Sequence, residues 1–477
     1  MKENAVTKPV RDTFLLSLST ALATVIQALA TFGLTRLIST EEFGAWREFV
    51  LVASLTGVLH AGYADGLQVI WCSPKRTTVD VNVPSAVTTL LATHLIWVAI
   101  GLAVSLRLPA LESFPFFFTA VGVYAFTWNV STALQFRAQC RDRFARLSVF
   151  SVAYPTMFLV FAGLLVFERS ATALHLAMAY CLAAAMATIF VLTDVEELTI
   201  GRGREASPYF AHVPKVIYLG VPILSLNYIS VGMVNFDKAA AAILFPAGPF
   251  AIYAFASVLV ALINSMIVGG SRVLLPSFAR HADRGDLDAA VITSTKAVVL
   301  LWTVALGTYF PAVAIVIRFL PPYTAAVQIG RIFFLASVFL AVAQVVHVNA
   351  CRALRLERSY MRRTWLLLSA GFIAALAIGR SLGLEALAVL SLIVSALWSV
   401  AGVRLLKRAS IQASDRITTL TLVWSGTSFL LASSLPSPFR GAALYVSTSA
   451  PLWMLWWLRY RATASQTQNR DQQSLDQ

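Results

Sequence analysis

The sequence predicts an all-α membrane protein with about fourteen transmembrane helices. Three observations carry that prediction. Apolar runs of bilayer-spanning length recur from Thr13 to Tyr460, and a helix rising about 1.5 Å per residue needs about 20 mainly apolar residues to cross the hydrocarbon. Hydrophobic residues make up 58% of the 477 and charged residues 13%, with a mean hydropathy of +0.74; a soluble chain of that composition would expose large apolar areas to water. The basic residues alternate in number from loop to loop, as the positive-inside rule requires of a chain that crosses repeatedly.

The spans read, in order, as 13–35, 43–71, 84–106, 114–136, 147–167, 171–193, 216–236, 248–271, 294–317, 327–350, 364–379, 384–403, 417–435 and 441–460. With the N terminus placed in the cytoplasm, 28 of the 37 Lys and Arg fall in cytoplasmic loops, in clusters such as Arg137, Arg141, Arg143 and Arg146. The other nine mostly stand one per loop. Dropping one helix would invert every later loop, so the pattern favours an even number over thirteen, with both termini cytoplasmic; the spans count to fourteen, and twelve is the alternative. Lys2, Lys8 and Arg11 precede an apolar stretch that runs past twenty residues, which reads as an uncleaved first helix rather than a signal peptide. The net charge of +14 is spread over short loops, so it reports topology and attraction to anionic headgroups, not nucleic-acid binding. Cys72, Cys140, Cys181 and Cys351 lack metal-ligand spacing and sit inside spans or on the cytoplasmic side, which predicts neither disulfides nor a metal site. No cofactor motif is present, and the clusters Phe114, Phe116, Phe117, Phe118 and Trp453, Trp456, Trp457 at span ends read as interfacial belts.

The polar stretch 194–215 divides the chain into a six-helix bundle (1–193) and a second one (216–408), followed by two additional transmembrane helices (409–460) and a cytoplasmic tail (461–477). An offset of 207 residues pairs Leu37 with Leu244, Phe43 with Phe250, Leu55 with Leu262 and Gly62 with Gly269. Both segments read as a helix exit, a short outer turn and a returning helix, the mark of two pseudo-symmetric halves.

The first of these hairpins, Thr35-Arg36-Leu37-Ile38-Ser39-Thr40-Glu41-Glu42-Phe43-Gly44-Ala45-Trp46-Arg47, with Leu59-His60-Ala61-Gly62-Tyr63-Ala64-Asp65-Gly66 after it, resembles the Wzx-type polysaccharide (O-antigen) flippases of the multidrug/oligosaccharidyl-lipid/polysaccharide (MOP) exporter superfamily. Fainter cues are Asn235-Phe236-Asp237-Lys238 and Tyr253-Ala254-Phe255-Ala256. The residue-level motif covers about thirty positions, while helix count and hairpin pattern extend the likeness over most of the chain. The resemblance implies flipping of a lipid-linked oligosaccharide of the polyprenyl diphosphate type across a bacterial inner membrane by alternating access, in surface polysaccharide biosynthesis beside other assembly proteins.

Such a cargo sets a demand on the interior. A charge at a helix centre costs about 2.5 to 3.5 kcal/mol on insertion scales, so a diphosphate needs cations to shelter it and every in-span ionisable residue needs an explanation. Arg36, Arg47, Lys238 and Arg331 are the candidates for diphosphate binding; for Arg36 and Arg47 the competing reading is a solvated turn, and for Arg331 an interfacial anchor. Asp237 and Lys238 are adjacent on a helix, so they point about 100° apart and are expected to need other partners. Asp65 and Arg272 occupy equivalent positions of the two halves, the arrangement expected of a gate. His60, Asn227, Asn235 and His347 are candidates for a polar cavity lining, although a membrane histidine more often bonds a neighbouring helix. Lys296 reads as an inner anchor. A rival reading is an ion-coupled multidrug exporter of the same superfamily, which would favour interior acids where this chain has mainly bases. An enzyme is disfavoured because the outer loops are short and carry only scattered acids, with no catalytic set.

Overall fold

A computed structural model describes residues 4–72, 81–107, 113–193, 212–269 and 271–454, and the described residues form helices and turns without a strand. The N-terminal half contains α1 (Asn4–Leu37), α2 (Thr40–Leu55), α3 (Tyr63–Cys72), α4 (Val83–Arg107), α5 (Phe117–Cys140), α6 (Phe144–Phe167) and α7 (Ala173–Ala187). After the expected linker come α8 (Val213–Leu244), α9 (Ala247–Gly269), α10 (Ser271–Arg284), α11 (Leu287–Leu306), α12 (Tyr309–Phe319), α13 (Ala326–Ala341) and α14 (Val348–Ala353). The chain continues as α15 (Glu357–Arg408), α16 (Arg416–Ser433) and a last helix over 438–454. Most of the linker and all of the tail lie outside the described residues, as do Trp456 and Trp457.

Eight of these helices, taken with their continuations, are long and apolar enough to cross a membrane. A ninth span is a bent pair, since α2 with its last turn meets α3 at 60°. The 52 residues of α15 hold two expected spans, because Gly383 at φ 81° interrupts the helix between them. Large apolar side chains point outward, Phe167 at 87% exposure and Phe439 at 80%, which suits a chain whose surroundings are hydrocarbon. The chain is a multi-pass membrane protein.

The α1–α2 and α8–α9 hairpins follow the expected pattern. Ser39 caps α2 by accepting the Glu42 N–H at 3.2 Å, and Glu41 and Glu42 complement the positive end of the helix. Phe43 and Phe250, the paired positions after each turn, are both fully buried.

Two expectations fail here. Phe114 and Phe117 pack on Phe49, with ring centroids 6.3 and 6.5 Å away, so they belong to the core and only Phe116 is exposed. Cys72 and Cys140 form a disulfide, their Cα atoms 4.8 Å apart. The break in the second span swings α3 alongside α5, which brings together two cysteines 68 residues apart that no local spacing connects.

Candidate translocation site

The two halves meet at both ends of the helices. At the hairpin end α2 lies on α9, and Gly44 permits it, since a Cβ there would overlap the Ala247 carbonyl. An aromatic seal covers this contact. Phe43 and Phe255 each pack on Tyr323, at 5.7 and 4.8 Å between centroids, and Phe32 packs on Phe255 at 5.5 Å.

At the opposite, linker end α3 lies on α8. Gly220 and Gly62 interlock, a Cβ on Gly220 overlapping the Gly62 carbonyl oxygen and a Cβ on Gly66 overlapping that of Val216. Gly62 also needs its own lack of a side chain, at φ 88°. Polar groups cross the same seam. Tyr63 Oη lies 2.8 Å from His212 Nε2; burial lowers the pKa of His212, before the start of α8. Asn227 Nδ2 donates to Asp65 Oδ1 at 3.4 Å, and Arg352 Nη2 donates to Asn227 Oδ1 at 3.3 Å. His60 Nε2 lies 3.7 Å from Asp65 Oδ2 while its Nδ1 accepts the Gly62 N–H at 3.1 Å. Asp65 and His60 are both buried. The side chain of Arg272 lies outside the described residues; the partners described for Asp65 are Asn227 and His60.

The break between α2 and α3 frees backbone carbonyls, and one is satisfied from α5: Asn129 Nδ2 donates to Thr56 O at 3.2 Å and lies 2.7 Å from His94 Nε2. His94 Nδ1 lies 2.9 Å from the carbonyl of Leu90.

Arg47 stands between the two contacts in sequence, about two turns into α2 from its start at Thr40, beside an aromatic wall. Trp46 stacks on Phe158 at 5.6 Å, and the Arg47 guanidinium lies 5.5 Å from the Trp46 ring. Tyr180 joins Phe158 at 5.1 Å, Tyr124 at 5.3 Å and Tyr154 at 5.2 Å. Among the described residues, Arg47 Nε, Trp46 Nε1 and Tyr154 Oη are buried without a hydrogen-bond partner.

The remaining candidates separate. Arg36 is exposed at the end of α1. Asp237 is fully buried, accepting from Tyr253 Oη at 2.8 Å and pairing with Lys238 Nζ at 3.3 Å. Adjacency therefore does not prevent the pair: the flexible lysine stem bends back, also donating to the Val234 carbonyl and lying 5.6 Å from the Phe333 ring. Arg331 and Phe333 are two residues apart on α13, about 200° around the helix, so Arg331 leaves α13 on a different side from the Phe333 ring that Lys238 of α8 reaches. Asn235 donates to the Val231 carbonyl at 3.1 Å. His347 is fully buried beside Gly402 with neither ring nitrogen bonded, so the interhelical bond expected of it is absent among the described residues. Lys296 pairs with Asp415 at 2.7 Å.

No family model and no curated protein matches the sequence. Solved structures do. A lipid II flippase, MurJ, in an inward closed conformation superposes with a TM-score of 0.70 over 92% of this chain and 99% of its own, at 11% identity. An inward-facing multidrug resistance MATE family transporter of the MOP superfamily gives 0.59 over 83% and 97% at 13% identity. A eukaryotic MATE transporter gives 0.55 over 84% and 99% at 14% identity. This is the MOP exporter fold. It is shared by a lipid flippase and by multidrug transporters, so the cargo of a MOP-fold chain has to be argued from the residues that line its interior.

Proposed function

We propose that this protein flips a lipid-diphosphate-linked oligosaccharide from the inner to the outer leaflet of a bacterial inner membrane, as the Wzx-type flippases do, in surface polysaccharide biosynthesis. The observation that carries this reading is Arg47: a guanidinium in the helical interior whose Nε has no partner among the described residues. A planar fork of N–H donors fits two phosphate oxygens, and a half-buried guanidinium on an aromatic wall favours an anionic cargo over a cationic one.

In this reading the hairpin end faces outward and both termini face the cytoplasm. Residues 1–193 and 216–408 act as two bundles joined by 194–215, with 409–460 as two appended helices. The glycine-built seam of α3 on α8 is the inner gate, and Asp65, Asn227 and Arg352 hold it shut. Asp237 holds Lys238 near the cargo path until a diphosphate competes for the ammonium. The carrier lipid keeps its tail in the bilayer, and other assembly proteins build and consume the glycan.

A second reading, an ion-coupled multidrug exporter, draws on one observation: the buried Asp65 carboxylate has only Asn227 and a histidine as described side-chain partners, which suits attraction of a cation. One experiment separates the two. In cells relying on this protein for surface polysaccharide, R47Q is expected to lower export by at least about tenfold at unchanged protein level, an ordinary loss for a charge-assisted pair. Undiminished export in R47Q, or drug resistance conferred without any effect on polysaccharide, contradicts the flippase reading.

A further inference from the structure

The bridge between Cys72 and Cys140 sits where the sequence gives least reason for one. It closes the linker end, which carries the basic loops and which the proposed orientation puts in the cytoplasm. Glutathione and thioredoxin keep accessible thiols reduced there, and the disulfides that do form in that compartment are usually transient or redox-sensing. Cys72 is exposed and Cys140 half-buried, so small thiols and peroxides reach the pair. The geometry nonetheless suits a bridge: the Cα atoms are 4.8 Å apart, within the usual range of about 4.4–6.8 Å, and Gln68 Nε2 donates to Gln139 Oε1 at 3.2 Å between the same two helices. The other two cysteines, Cys181 and Cys351, are buried and unbridged.

What the bridge ties down is α3, which is hinged at its other end. Ala61 at φ 50° and Gly62 at φ 88° separate it from α2, and the two helices meet at 60°. Cys72 is the last residue of α3 and Cys140 the last of α5, so the bridge fixes the end farthest from the hinge. We infer that Cys72 and Cys140 are a redox-modification site: free thiols in the resting cell, joined by peroxide, and when joined holding α3 in the bent position seen here. The Cys72 thiolate attacks one peroxide oxygen, giving a sulfenic acid and hydroxide; the Cys140 thiolate attacks that sulfur and expels a second hydroxide. Both hydroxides leave as water with the two thiol protons. Two glutathione molecules reverse the step and leave as glutathione disulfide. The inference rests on the orientation proposed above and not on the cargo.

Two measurements test it. In cells quenched with acid, denatured and treated with a polyethylene-glycol maleimide, the four cysteines of the chain are expected to react as four at rest and as two after a millimolar peroxide pulse. Four return once the peroxide is removed, and C72S/C140S reads two throughout. On the purified full-length protein, hydrogen exchange over 63–72 is expected to be slower by about tenfold in the oxidised form than after reduction, because a bridge restricts the opened state; in C72S/C140S oxidant changes nothing. No loss of thiols under peroxide, or equal exchange in the two forms, overturns the inference. A bridge already complete in resting cells also overturns it, and C140S then tells why. An impermeant maleimide that reaches Cys72 in spheroplasts puts the linker end outside and removes the proposed orientation as well. Reaction of Cys72 only after permeabilisation leaves the orientation standing and makes the bridge a fixed structural one.

Discussion

At the scale of single residues, ionisable groups in apolar spans were the legible part of the site. Arg47, Asp65 and Asp237 stood out because insertion of a charge is costly; the two acids are buried and Arg47 is half-buried. Their surroundings were not legible. Tyr124, Tyr154 and Tyr180 come from three helices, and nothing local in the sequence says that they gather beside an arginine. Arg352 was hidden by its own neighbours, because it opens a cytoplasmic basic cluster and its bond to Asn227 spans 125 residues. The pairing of Lys296 with Asp415 makes a residue-level prediction. Partial burial of Asp415 opposes its ionisation, yet the Lys296 ammonium and the Thr418 N–H and hydroxyl hold its pKa at about 2. A carboxylate with a folded pKa below its unfolded value of about 3.9 contributes stability that is fully present above that value and lost as pH falls through about 2. Thermal unfolding across that acidic window is expected to fall less steeply for D415N than for wild type; identical slopes would remove Asp415 from the account.

At the scale of elements, hydropathy found the helices and the interruption near Gly383 between 364–379 and 384–403, but not the break inside 43–71. The stretch 43–71 is longer than a bilayer needs, and that excess was the available signal that the span bends. The bend lays Gly62 and Gly66 on Gly220 and sends α3 back to α5, and the disulfide between Cys72 and Cys140 follows from it. A methyl group at Gly220 has nowhere to go but into the Gly62 carbonyl, so G220A is expected to weaken the α3–α8 contact by about 1–3 kcal/mol, the usual cost of overpacking. If that contact is a gate, a cysteine placed by V216C, buried in this state, will be alkylated faster in G220A than in the parent. An unchanged rate would show that the seam is a fixed packing contact.

At the scale of the whole molecule the fold was readable because it rests on sums: repeated apolar length, alternating basic loops and a long-offset pair of hairpins. The fold itself superposes on MurJ at 11% identity. The cargo does not rest on sums. It rests on one guanidinium and the groups around it, and a fold common to a lipid flippase and to multidrug transporters leaves that choice to them. The most direct measurement is therefore flipping itself: purified protein in proteoliposomes loaded with a polyprenyl-diphosphate oligosaccharide, with the glycan reaching the far leaflet scored by an impermeant glycosidase. Transfer by the wild-type protein and its loss in R47Q is the predicted result; equal transfer by both, or none by wild type in vesicles where it moves a cationic drug, would contradict the account.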